Sequence, residues 1–211
     1  MKTSTLLSTA AFALAATTTA VPLDLSSGHS SLLISVDVVQ NAGAPVAAAV
    51  TPAAAALGDI FTFTSQHTLH ATPEQVVNET TPTGGIAGAS GIFSFGINSA
   101  LNIICYNITL HGFQGEFSSP ADTATHIHEA ALGASGPPRI AFPNPEPLDA
   151  SGAVRNSIGC LTGPFTVGVL MMEKDTGEGF HVSQIEQNPA GFMADTHSSV
   201  ALPGAVRGQF A

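Results

Sequence analysis

From Phe61 onward the chain alternates apolar and polar residues in short runs, each closed by glycine, proline or asparagine. Phe61 and Phe63 alternate with Thr62 and Thr64, and Phe93, Phe95 and Ile97 alternate with Ser94, Gly96 and Asn98. A period of two places every second side chain on one face of a pleated strand, so these runs read as half-buried strands. Further short runs span 102–110, 123–128, 154–161, 165–170, 193–197 and 205–210. Regular short strands with such punctuation predict an all-β fold, an antiparallel sandwich or barrel. Only 180–188 can host a helix, and Pro189-Ala190-Gly191 would end it. No internal repeat, heptad or nucleotide-binding glycine loop is present.

The residues before the first strand are of two kinds. Met1-Lys2, an apolar run over 6–16 and the small residues Thr18-Thr19-Ala20 make a secretory signal peptide of residues 1–20, cut after Ala20. That apolar run is too short to span a bilayer, and the chain ends at Ala211 without a hydrophobic anchoring tail, so a secreted, soluble, extracellular protein with no membrane span is expected. Residues 21–58 are rich in Ser, Ala, Pro and Gly and read as a flexible, low-complexity N-terminal tether, with one possible strand at 31–39. The β domain is then 59–211. The whole chain carries a net charge of −10, and the signal peptide removes one of its five cations. Such an acidic surface repels phosphate backbones and anionic lipid, which argues against a nucleic-acid partner.

Two cysteines in a chain that passes through an oxidising compartment predict a Cys105–Cys160 disulfide, with two buried free thiols as the alternative. Closing a loop of that length is worth about 4 kcal/mol by chain entropy. The sequons Asn78-Glu79-Thr80 and Asn107-Ile108-Thr109 make Asn78 and Asn107 glycan acceptors where exposed.

The segment Thr125-His126-Ile127-His128-Glu129 carries the strongest chemical signal. On a strand, His126 and His128 project from one face with backbones about 6–7 Å apart, a spacing that two imidazoles leaning toward one metal can close. His197 is a candidate third ligand. Asp195, two residues earlier, shares its strand face and could orient a ligand imidazole from behind. Three imidazoles suit copper and leave an open position on it. The competing reading is a set of polar, hydrogen-bonded strand histidines. His67 and His70 are offset by three, which is wrong for both to share one strand face. Arg207 could pair with a carboxylate such as Asp195. No nucleophile elbow and no acid/base pair of carboxylates is visible, so the leaning is toward a protein that is not an enzyme.

His126-Ile127-His128, followed by Asp195-Thr196-His197 and Pro203-Gly204-Ala205-Val206-Arg207-Gly208-Gln209, resembles the CHRD domain first described in chordin. Members tend to carry an A-H-I-H strand and a closing N-V-H-T…P-G-E-I-R-G-Q strand. Here Ala205 replaces the Glu, and Asp195 stands where an Asn is commoner. Gly136-Pro137-Pro138-Arg139-Ile140, Cys105-Tyr106-Asn107-Ile108-Thr109 and Gly159-Cys160-Leu161-Thr162-Gly163-Pro164 are similar to stretches of the secreted fungal branch. The resemblance covers about residues 59–211. It implies an extracellular module with a binding or structural role, its partner an extracellular protein or cell-wall component. The family is in turn distantly similar to Cu/Zn superoxide dismutase, which implies a Greek-key sandwich and a copper site at His126, His128 and His197 with Arg207 facing the metal, and leaves a redox-active copper protein of that kind as the alternative function. The zinc-binding loop of that enzyme has no counterpart between His128 and Cys160.

Overall fold

The computed structural model describes residues 62–211; residues 1–61, with the expected signal peptide, the expected tether and its possible strand at 31–39, lie outside the described residues. The described strands are β1 (Ser65–Ala71), β2 (Val77–Asn78), β3 (Thr81–Pro82), β4 (Ser90–Asn98), β5 (Ile103–His111), β6 (Thr125–Glu129) and β7 (Pro138–Phe142). They continue as β8 (Glu146–Pro147), β9 (Val154–Thr162), β10 (Leu170–Met171), β11 (Lys174–Asp175), β12 (Phe192–Ser198) and β13 (Ala201–Gln209), with a one-turn helix α1 (Ser183–Gln187) before β12. A five-stranded sheet runs β1-β4-β5-β9-β8 and a four-stranded sheet runs β13-β12-β6-β7, while β2-β3 and β10-β11 are two-stranded ribbons. Every pairing is antiparallel.

The chain leaves the first sheet after β5, makes the β6–β7 hairpin in the second, returns as β8–β9 beside β5, and crosses again to place β12 beside β6. Pairing of strands this far apart in sequence is the Greek-key pattern of a sandwich. The sheets do not close on each other, so of the two expected architectures the sandwich is the one formed.

The alternation seen in the sequence fills the space between the sheets. Phe93, Phe95 and Ile97 of β4 and Ile104, Tyr106, Ile108 and Leu110 of β5 face Ile127, Ile140, Phe142, Phe192, Ala194 and Val206 from the other sheet. Phe95 packs on Phe142 and Phe210 at centroid distances of 5.5 and 5.4 Å, which ties β4 to both ends of the second sheet. Each such side chain contributes about 1.5–3 kcal/mol on full burial. Cys105 and Cys160 are directly opposite each other in β5 and β9 and are bonded.

Three expectations about elements change. Residues 62–64, read as part of a strand with Phe61, precede β1, which begins at Ser65. The run 165–170 alternates like a strand, but only Leu170 is in one; its inward Phe165 and Val167 are buried from a loop. The Val167 and Gly168 N–H groups donate to the Asp175 carboxylate instead of to a neighbouring strand. Conversely, Pro138–Phe142 forms β7, which is absent from the runs read as strands in the sequence; Ile140 and Phe142 enter the core from this edge strand. Proline is tolerated there because it is the strand's first residue.

Candidate metal centre

Strand register decides which side chains meet. In β6 and β12, His126 is opposite Asp195 and His128 opposite Met193, while Asp195 is also opposite Arg207 of β13. Since Ile127 and Ala194 face the core, His126, His128, Asp195 and Arg207 occupy the other face of the four-stranded sheet. The ladder is irregular at two points, between Ile127 and His128 and between Thr196 and Ser198. Such irregularities re-aim single side chains. They coincide with two of the three histidines.

The face is covered rather than open. The loop 130–137 folds back across it, held by the Arg207 guanidinium donating to the carbonyls of Ala134 (2.8 Å) and Ala131 (3.0 Å) and by Gln209 Nε2 donating to Ala130 (2.9 Å). Under this cover His126 is 1% exposed and Asp195 2% exposed. The side chains of His128 and His197, at 11% and 14%, form the edge nearest solvent.

Each imidazole is held by a backbone carbonyl from a different segment, two from loops and one from the start of β13. His126 Nε2 donates to Thr123 O at 2.7 Å, His128 Nδ1 to Gly136 O at 2.8 Å and His197 Nδ1 to Leu202 O at 2.8 Å. A nitrogen that donates to a carbonyl carries the proton, so the other ring nitrogen is the one available to accept or to bind a metal. Those second nitrogens all face the Asp195 carboxylate: His128 Nε2 at 3.2 Å, His197 Nε2 at 3.3 Å and His126 Nδ1 at 3.8 Å. His126 Nδ1, His128 Nε2 and Asp195 Oδ1 are buried and make no hydrogen bond. Buried polar atoms left in that condition cost about 1–3 kcal/mol each, which a cation among them would offset.

Charge follows geometry. Burial pushes the His126 ring down to about 4, outweighing the pull of Asp195. Burial also opposes charge on His197, yet the Asp195 carboxylate and the bond to Leu202 O carry that ring up to about 9. Asp195 lies well below the usual carboxylate range because the neighbouring His128 and His197 overcome its burial.

His126, His128, Asp195 and His197 thus form one group whose ligand atoms lie within 4.8 Å of one another, and it could hold a metal ion. It is looser than the roughly 3–4 Å between nitrogens expected for ligands about 2 Å from one metal. The sequence brings together the same three histidines, but it places Asp195 behind a ligand; the structure puts its carboxylate among the ligand atoms. Arg207, opposite Asp195 in the ladder, feels the charge of that carboxylate, and its terminal nitrogens hold the covering loop. His67 is on β1, edge-on to Phe210 at 5.2 Å, and His70 is exposed on the same strand; neither joins the group. The carbonyl anchors are what sequence reasoning missed. One had a signal: a Cβ at Gly136 would collide with the Glu129 carbonyl oxygen, so glycine is required where the chain turns its own carbonyl onto His128.

A family model of the CHRD domain matches residues 60–210, and the chain belongs to that family. No curated protein and no solved structure matches the chain. Among the described residues no helix is long and apolar enough to cross a membrane.

Proposed function

We propose, on the premise that this is a CHRD-domain protein, that it is a secreted extracellular β-sandwich module that binds one divalent transition-metal ion through His126, His128, His197 and Asp195. The observation that supports this reading is the set of carbonyl-anchored imidazoles whose remaining nitrogens are all turned on one carboxylate, those of His126 and His128 buried and without a hydrogen bond. Three imidazoles and a carboxylate suit copper(II) or zinc(II), and copper(II) binds such donors more tightly. When bound, the metal would neutralise Asp195 and could present a coordination position at the His128–His197 edge.

Binding rather than turnover is the reading at this site. The Arg207 guanidinium donates through its terminal nitrogens to the Ala131 and Ala134 carbonyls, which favours a structural role for it. Partners are then an extracellular protein or a cell-wall component. The test is metal uptake by chelator-treated protein at neutral pH. One equivalent of copper(II) with nitrogen hyperfine structure in its paramagnetic resonance spectrum is expected, lost in His128→Ala. Absence of stoichiometric uptake of copper(II) and zinc(II) overturns the metal reading.

A second reading has its own observation: a charged His197 beside an ionised Asp195 makes a buried ion pair without any metal. That reading predicts no uptake and a His197 imidazolium that persists above pH 8, seen in the ring-proton shifts.

A further inference from the structure

The outer face of the five-stranded sheet carries a cleft of about 450 Å³. This is within the roughly 300–1,000 Å³ range of small-molecule sites. Its floor is apolar. The Phe63 ring lies flat on β4 at Gly96, where a Cβ would come within 2.6 Å of it, and the Cys105–Cys160 bond and Ile158 continue the surface. Ile158 is 71% exposed. Polar groups ring the floor: Gln66, Thr68, Ser94 and Asn107. An exposed apolar surface with a polar rim marks a surface that something covers.

Asn107 says what covers it. It is an exposed residue of the cleft wall, opposite Ser94 on one side and Ile158 on the other. Asn156 Nδ2 donates to the Asn107 Oδ1 at 2.8 Å and to Thr109 Oγ1 at 3.0 Å, which fixes the amide. The Asn107 Nδ2, the nitrogen to which a sugar attaches, makes no hydrogen bond with the described residues. Asn78, equally exposed, is on the β2–β3 ribbon rather than on this face.

We propose that Asn107 carries an N-linked glycan whose first N-acetylglucosamine lies in this cleft and covers the disulfide face of the sheet. The inference rests on the extracellular reading, since the modification belongs to the secretory route. Asn107 Nδ2 forms a bond to C1 of the sugar as the C1–O bond to a lipid-linked pyrophosphate breaks. The pyrophosphate leaves with the electron pair and the amide nitrogen loses one proton. A pyranose offers an apolar C–H face for Phe63 and Ile158 and hydroxyl and acetamide groups for Gln66, Thr68 and Ser94. Attachment beside the cleft holds the sugar there at an effective concentration on the order of millimolar or more, so weak contacts suffice.

The experiment uses the full chain made in a eukaryotic secretory host, with glycopeptides mapped on the secreted protein and apolar-dye fluorescence measured on the folded product. Asn107 is expected to be occupied. Dye fluorescence should rise several-fold in Asn107→Gln, stay at the wild-type level in Asn78→Gln, and stay low when the glycan is trimmed to its first sugar. Enzymatic removal of the whole glycan from the folded wild type should give the same rise, which separates exposure from misfolding. A secreted, processed protein with Asn107 unmodified overturns the glycan proposal alone, as does equal dye binding with and without the sugar. A chain retained in the cell with residues 1–20 uncut overturns the extracellular reading together with it.

Discussion

Asp195 is almost wholly buried among three imidazoles, and its charge organises theirs. In chelator-treated protein the two shifted histidines make stability depend on pH in opposite senses. His197, raised to about 9 from an ordinary value near 6.5, stabilises fully below pH 6.5 and loses that contribution as pH rises to 9. His126, lowered to about 4, favours the fold while neutral and costs stability as pH falls from 6.5 to 4. Thermal stability should therefore peak near pH 6.5, and a midpoint that does not vary between pH 5 and 9 would contradict these assignments. Asp195→Asn removes the carboxylate that supports charge on His197. It should weaken metal binding by on the order of 10–100-fold or more, read by competition with a chelator. In the metal-free protein it should cost about 3–5 kcal/mol, because a buried partner is left uncompensated.

Among the elements, a period of two was a good guide to side-chain direction and a poorer one to strand pairing. It located β4, β5, β6, β9, β12 and β13, whose inward residues are the core. It also marked 165–170, where Phe165 and Val167 point inward as a strand would have them but the backbone donors are taken by one side chain. Asp175 accepts from the Val167, Gly168 and Gly177 N–H groups. Asp175→Ala should cost about 1–3 kcal/mol and speed hydrogen exchange at Val167 and Gly168 before the rest of the sheet. β7 was hidden for the reverse reason, since Pro138 at its start and Pro137 before it outweighed the alternation of Ile140 and Phe142. Gly136→Ala, at the turn before β7, should displace the Gly136 carbonyl from His128. It should lower stability by about 1–3 kcal/mol, with a loss of copper(II) affinity that a chelator competition would read.

For the molecule as a whole, β1 pairs with β4 and the core closes from residues of the described sandwich. A chain beginning at residue 59 should therefore keep a single cooperative thermal transition; loss of that transition would mean that the run at 31–39 belongs to a sheet. Reducing Cys105–Cys160 should lower stability by up to about 4 kcal/mol without abolishing the fold. The sequence by itself determined the all-β class and the presence of His126 and His128 on one strand face, and made the bond between the two cysteines the expected outcome. These are local or countable properties: a side-chain period, an even number of thiols, a spacing of two. Only the tertiary structure decided that His197 reaches the same point, that Asp195 stands among the ligand atoms, and that Arg207 is tied to the covering loop instead. Those outcomes depend on the register between strands about 70 residues apart in the chain, on two irregular ladder positions, and on carbonyls from two loops and the start of β13. No pattern within one segment encodes such distances.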